Sequence, residues 1–398
     1  MKFSDLAMDL KASEIRELLK LTTMPQVISF AGGLPAPELF PTEELKKVDD
    51  EVLTKEGKQA VQYGTTEGYL PLREKITKRM KQAFMVDCVA DEVMITSGSQ
   101  QGLSLLAQIF LNKDDVVLVE SPTYLGAINA FKLCGPQFVE VPTDEKGIIP
   151  EELEKLLDQY GPRVRMMYVI PEFQNPTGIT WPLERRKQFM DIINQYDFPV
   201  LEDDPYGELR YDGEKVPSLK SMDTKGNIVF LGSFSKIFMP GLRIAWMVAN
   251  PEIIDKIVKL KQAVDLQSSS FAQRQTSYYI DMYDLDKHVE KIKALYKTRR
   301  DLMCQTMKEE FPKEITFTYP EGGLFTWVTL PEGMDAKEIM PKVLAKDVAY
   351  VPGGPFYPNG GNANHFRLNY SNMPEERIVE GIKRLADVLK EEMVAYKQ

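Results

Sequence analysis

GSFSKIFMPGLR, residues Gly232 to Arg243, lies between two apolar runs, Ile228 to Leu231 before it and Ile244 to Ala249 after it. Each run is short and apolar enough to be a buried strand. The stretch between them holds two hydroxyls (Ser233, Ser235), one lysine (Lys236), a Pro240-Gly241 break and one arginine (Arg243). A lysine flanked by buried strands is costly unless it is paired or used. Desolvation and neighbouring cations lower an amine's pKa and free it to attack a carbonyl. Hydroxyls beside a guanidinium fork suit a phosphate. Amine and phosphate cradle together suit an aldehyde with a phosphate tail, which describes pyridoxal 5′-phosphate (PLP) held as a Schiff base on Lys236. The same residues also read as a surface turn, with a solvated lysine and an arginine paired to a carboxylate; a motif this short does not decide between the two.

A chain of 398 residues exceeds the usual size of one core, so two structural domains are expected. The net charge of −10 makes nucleic acid a poor partner. No apolar run is long enough to span a bilayer, and the N-terminus lacks a continuous apolar signal region and reads as part of the fold. Cys88, Cys134 and Cys304 are isolated from one another, which points to a reducing cytoplasm and away from a structural zinc. With only two histidines, His288 and His365, a His-rich metal site is excluded and a Ser-His-Asp triad is disfavoured. Proton transfer then falls to a lysine, a tyrosine or a carboxylate.

Short apolar strands alternate with longer amphipathic helices, the α/β pattern. The spacing predicts a first helix over Ala12 to Leu21, with Arg16 flanking its apolar stripe as a helix-surface charge. Gly32-Gly33 and the prolines at 35, 37 and 41 make a loop; its paired glycines suit either close backbone approach to a ligand or a tight turn. Tyr63 heads a polar loop, and Pro71 opens a helix with Leu72, Ile76 and Met80 on one face. Strand Val93 to Thr96 runs into Ser97-Gly98-Ser99-Gln100-Gln101-Gly102 and a helix through Phe110, an arrangement that serves an anion or is an ordinary turn. Further strands, Val116 to Val119, Val164 to Ile170 and Phe198 to Leu201, lead to Tyr124, to Asn175 and to Glu202-Asp203-Asp204-Pro205-Tyr206. Ligands of α/β sheets bind at such strand ends. The acid triplet reads as a metal site or, given Pro205 and Tyr206, as one inward carboxylate beside a phenol.

With these parts in view, YGTTEG, SGSQQG, SPTY, PEFQNPTG, EDDPYGELRY, GSFSKIFMPGLR and HFRLNY, in this order and over nearly the whole chain, resemble a fold-type I PLP-dependent aminotransferase of class I/II. SEIRELLKL followed by ISFAGGLPAPELFP resembles the α-aminoadipate/kynurenine-type branch, with its broad substrate range. The resemblance implies a large domain (46–290) with a mostly parallel seven-stranded sheet between helices, a smaller α+β domain (291–398), and an N-terminal segment (1–45) that joins the latter. It implies Lys236 as Schiff-base lysine and proton shuttle, Asp203 at the pyridinium nitrogen and Tyr124 stacked on the ring. Asn175 and Tyr206 would bond the ring's phenolate oxygen. Ser99, Gln100, Ser233, Ser235 and Arg243 would hold the phosphate, with Tyr63 reaching it from the other subunit of a homodimer. Arg367, helped by Asn175 and with Gly33 close by, would clamp the substrate's α-carboxylate. An arginine at the place of Arg16 can pair with the distal carboxylate of acidic substrates. The implied activity is ping-pong transamination between an L-amino acid (2-aminoadipate, glutamate, aromatic or other) and a 2-oxo acid such as 2-oxoglutarate.

Arg367 has support from the pattern as well: Phe366, Leu368 and Tyr370 alternate with Arg367 and Asn369, a half-buried strand with one polar face. Downstream of Lys236, the spacing predicts a long helix over Asp286 to Glu310, strands over Gly323 to Leu330 and Val348 to Phe356, and a last helix striped by Ile378, Ile382, Leu385, Ala386 and Leu389. Trp327 and Tyr350 read as core. Rival outcomes are a PLP-dependent β-lyase or decarboxylase, which shares most of these parts, and a non-catalytic ligand sensor. The sensor reading would want room for a DNA-binding module ahead of the fold, where this chain begins almost at once with the fold.

Overall fold

The computed structural model describes residues 1–9 and 24–397; the helix expected over Ala12 to Leu21, and Arg16 with it, lies outside them. In chain order the strands are β1 (Ile28–Ser29), β2 (Val93–Thr96), β3 (Val116–Ser121), β4 (Gln137–Asp144), β5 (Gly147–Ile148), β6 (Val164–Val169), β7 (Val200–Asp204), β8 (Ile228–Ser233), β9 (Ala245–Val248), β10 (Thr316–Phe317), β11 (Phe325–Thr329), β12 (Val348–Ala349), β13 (Val351–Pro352) and β14 (His365–Asn369). The large sheet has the order β2-β9-β8-β7-β6-β3-β4-β5. Its centre, β8-β7-β6-β3-β4, is parallel, whereas β9 runs against both neighbours and the two-residue β5 folds back on β4. Apart from β5, this is the mostly parallel seven-stranded sheet that was expected.

Parallel sheets survive where both faces are covered. Alternate residues of β3 show how: Val117 and Val119 pack with Leu103, Phe131 and Ile257 from one layer of helices, while Val116 and Leu118 pack with Leu153, Leu157 and Phe189 from the other. Each of these side chains is about fully removed from water, worth roughly 1.5–3 kcal/mol apiece on the transfer scale. Because β2, β3, β6, β7 and β8 share one direction, their carboxyl ends gather at one edge of the sheet, and the loops that follow them converge there.

A second sheet, β10-β11-β14-β13, is antiparallel throughout. The helix Leu285–Glu310 lies along the last helix, Glu375–Tyr396, beside this sheet. The N-terminal strand β1 pairs in parallel with β12, and the Asn369 amide donates to the Phe30 carbonyl, so residues 28–30 are built into the C-terminal part of the chain. The single strand expected over Val348 to Phe356 is two: at Tyr350 the chain leaves β1 and joins β14. Tyr350 is fully buried at that step and donates to the Ala336 carbonyl; Trp327 is buried too, stacked on His365. Among the described residues, no helix is long and apolar enough to cross a membrane.

Candidate active site

A cavity of about 370 Å³ opens where the strand ends of the large sheet meet β14 and residues 31–33. Its lining includes Gly33, Ser99, Gln100, Tyr124, Asn175, Asp203, Tyr206, Ser233, Ser235, Lys236, Arg243 and Arg367. Twelve of the fourteen residues singled out from the sequence thus come together. Tyr63 does not line this cavity: it is 77% exposed, on a separate groove with Val61, Gln267 and Ser270. Arg16 is outside the described residues.

Lys236 follows β8 in the turn that the flanking strands impose. Its Nζ donates to the Gly33 carbonyl at 2.7 Å. That approach requires glycine, because a Cβ at position 33 would stand 2.9 Å from the Phe325 ring. Removal from water, and then the nearby Arg367 and Arg243 cations, lower the Lys236 pKa to about 8.

The acid triplet diverges. Glu202 accepts from Ser218 Oγ and from the amides of Leu219 and Lys220 at 2.7–2.8 Å, and Asp204 Oδ1 accepts from the Gly207 amide at 2.6 Å. Asp203 alone faces the cavity. All three belong to β7 rather than to the loop expected after it, and strand alternation with the turn at Pro205 accounts for their different directions. Tyr168, on the neighbouring β6, donates to Asp203 Oδ2 at 2.7 Å, and Oδ1 is buried with no partner. Burial raises the Asp203 pKa to about 7, against the Tyr168 bond that favours the carboxylate. Tyr168 escaped the sequence reading: in a continuous apolar run nothing separates it from an ordinary core tyrosine.

Asn175 and Tyr206 face each other, Nδ2 to phenol oxygen at 3.4 Å. The loop that carries Asn175 is anchored by Glu172, buried and paired with both Arg186 and Arg210. Breaking a buried pair from one side costs about 3–5 kcal/mol, so this anchor is firm. Arg367, central in its sheet between Trp327 and Val351, donates to Asn175 Oδ1 and to the Ala31 carbonyl, each at 2.7 Å. Its guanidinium carbon sits 4.1 Å from the Phe325 ring centre and 5.2 Å from that of Phe356, and its Nε is buried without a partner. Burial draws its pKa down to about 10, opposed by Tyr206 and Tyr124.

At the far end, Gly98 has φ +81° and precedes the helix Ser99–Phe110, whose free amides open toward the cavity. A Cβ on Gly98 would lie 2.1 Å from Arg243 Nη2, so glycine again permits the approach. Ser99 Oγ is buried and unpartnered, and Ser233 Oγ accepts from the Ser235 amide at 3.0 Å. Gln100 Nε2 donates to the Gly126 carbonyl at 2.8 Å, steadying the turn that presents Tyr124. Among the described residues, the three orphaned polar atoms at this cavity are a carboxylate oxygen, a hydroxyl and a guanidinium nitrogen.

The family model for aminotransferase class I and II matches residues 27–385. The chain belongs to the class I and II aminotransferases. This aminotransferase is 48% identical over 394 residues to "Aromatic-amino-acid aminotransferase 1" of Thermococcus litoralis, covering 98% of this chain and 94% of the relative. It is 42% identical over 387 residues to the 2-aminoadipate transaminase of Thermus thermophilus, covering 96% of this chain and 94% of that one. A solved structure of Pyrococcus horikoshii kynurenine aminotransferase superposes with a TM-score of 0.94 at 45% identity, covering 98% of this chain and 97% of the other. The aminotransferase is PLP-dependent, and its chemistry is transamination. The residues present fit that cofactor: the orphaned Asp203 oxygen suits a ring nitrogen, the orphaned Ser99 hydroxyl and the helix amides suit a phosphate, and the Lys236 amine lines the same cavity.

Proposed function

We propose that this aminotransferase exchanges amino groups between a broad set of L-amino acids, 2-aminoadipate, glutamate and aromatic ones among them, and a 2-oxo acid such as 2-oxoglutarate, in ping-pong order. The observation that carries the reading is Arg367, buried against two aromatic rings with an unpaired Nε and lining the same cavity as the Lys236 amine. A fixed guanidinium there suits the one group that all amino acids and 2-oxo acids share, the α-carboxylate. The names of the relatives support the breadth of side chains.

PLP supplies an aldehyde for an amine and a ring that accepts electrons from a substrate's α-carbon. The chain's own residues do the rest. Asp203 Oδ1 would hold the ring nitrogen, with Tyr168 keeping Oδ2 occupied and favouring the carboxylate over the acid. Tyr206 and Asn175 would hold the phenolate oxygen, and Tyr124 would cover one face. Ser99, Gln100, Ser233, Ser235 and Arg243 would hold the phosphate. Lys236 Nζ, with its lowered pKa, would take and return the proton at the substrate's α-carbon. A panel of amino acids with 2-oxoglutarate tests the reading; release of ammonia and pyruvate from cysteine-type substrates without amino exchange would replace it with a lyase.

For Arg16 the support is its place in the sequence alone. Arg16→Ala is expected to lower kcat/KM for glutamate and 2-aminoadipate by about 10–100-fold, the worth of one charge-assisted bond, and to spare aromatic substrates. Equal losses in both classes would reject the role.

The proposed working unit is a homodimer in the reducing cytoplasm. Support comes from the exposed pair Tyr63 and Val61 on their groove and from three cysteines that remain free thiols. Light scattering should return twice the 45.4 kDa chain mass, and a monomer that retains cofactor would overturn the shared site.

A further inference from the structure

Behind the Ser97–Gln100 turn lies a fully buried lysine that the chemistry above does not use. Lys261, on the helix Pro251–Val264, donates from Nζ to Gln101 Oε1 at 2.7 Å and to both oxygens of Asp265, at 2.7 and 2.8 Å. Gln101 closes the ring, its Nε2 donating to Asp265 Oδ2 at 2.6 Å. The same Gln101 Oε1 accepts from the Ser97 amide at 2.9 Å, and Ser97 Oγ lies 2.9 Å from Ser268 Oγ. An ammonium is a poor tenant of an interior unless its donors are spoken for. Here each donor is, and the neighbours fix the orientation of the Gln101 amide: its carbonyl accepts from Lys261 and Ser97, and its NH₂ donates to Asp265.

The consequence for the turn is direct. Ser97 is held by its amide and its hydroxyl, Gly98 follows at φ +81° against Arg243, and Ser99, its hydroxyl buried and unpartnered, then lines the cavity. We propose that Lys261 is a positioning residue that sets the Ser97–Gln100 turn, and through it the affinity for the phosphate of the cofactor. This rests on the reading that the turn and Arg243 hold that phosphate. Without Lys261, Gln101 keeps no charged donor, Asp265 loses its counter-ion and the turn loses its fixed register.

The test compares PLP with pyridoxal, which has the same ring and aldehyde but no phosphate. Each is titrated into the purified full chain freed of cofactor, and capture is read from the absorbance of the bound chromophore. Lys261→Met is expected to weaken PLP capture by about 10–100-fold, the worth of one charge-assisted bond, and pyridoxal capture by less than about threefold. Lys261→Arg, which returns a charged donor to Gln101 and Asp265, is expected to recover most of the loss. Arg243→Ala is the reference and should show the same selective loss. Equal losses of both ligands in Lys261→Met, or no loss while Arg243→Ala remains selective, would overturn the role of Lys261. An unselective Arg243→Ala would overturn instead the assignment of the phosphate to this turn. Should Lys261→Met fail to fold, Asp265→Asn breaks the same ring without stranding a bare carboxylate and is judged by the same two ligands.

Discussion

Lys236→Ala is expected to lower transamination by at least about 10⁴-fold, because the variant loses both the amine and the proton carrier at the α-carbon. Phosphate and ring contacts remain, so the variant should still retain cofactor by mass while losing the bound chromophore and the peptide tag that borohydride leaves on the parent protein. Activity within tenfold of the parent, or a tag on a different lysine, would sink the assignment. The pKa of about 8 adds a pH signature. The group is a cation whose folded pKa lies below the ordinary lysine value, so the neutral amine accumulates as pH rises toward 8. Cofactor capture by the stripped protein should therefore accelerate up to about pH 8 and then level off. Stability moves in the same direction. Between about 8 and the ordinary value of 10.5 the unfolded chain binds a proton that the folded one lacks, so this residue's contribution rises with pH across that window. Below it, the burden of a buried charge is fully present.

Arg367→Ala is expected to reduce kcat/KM by about 10²–10⁴-fold for every amino acid, whatever its side chain. Two charge-assisted bonds to a carboxylate, each worth about 1.5–3 kcal/mol, set that range. Most of the loss should appear in KM, since the carboxylate is held equally before and during reaction. Lysine should rescue little: a point charge replaces neither the planar fork nor its seat between Phe325 and Phe356. Loss confined to acidic substrates, or less than tenfold overall, would mean that the α-carboxylate is held elsewhere. Because Asn175 Oδ1 and the Ala31 carbonyl each lose a donor in this variant, thermal unfolding should be measured alongside, to separate a weakened fold from a weakened clamp.

The large sheet was legible because its central strands are buried on both faces and read as short apolar runs. Val93 to Thr96 was legible to the residue. What stayed hidden had weak hydrophobic patterning. β4 lies near the sheet edge, interleaves exposed and buried residues and contains a proline. The helix Ser270–Met282 buries Gln273, Gln275, Thr276 and Ser277, and satisfies them with Tyr69, Asp49, the Ala272 carbonyl and Lys75, so its apolar stripe is weak. The site was more legible than the fold around it: lysine, paired hydroxyls, guanidinium and strand-end carboxylate are unusual in these places and few in number. Residues that act at one remove, Tyr168 and Lys261, were not, since a tyrosine in a core strand or a lysine on a helix looks ordinary until its partner is seen.

The pairing of β1 with β12, together with the bonds from Lys236 to Gly33 and from Arg367 to Ala31, bears on how the protein is made. Segments from opposite ends of the polypeptide close the cavity, so a nascent chain still lacking residues beyond 364 holds both β1 and β12 but has neither Arg367 nor the Asn369 amide that bonds Phe30. Synthesis therefore finishes before the catalytic chamber does, and a ribosome-stalled chain of that length should have no transaminase activity even when supplied with cofactor.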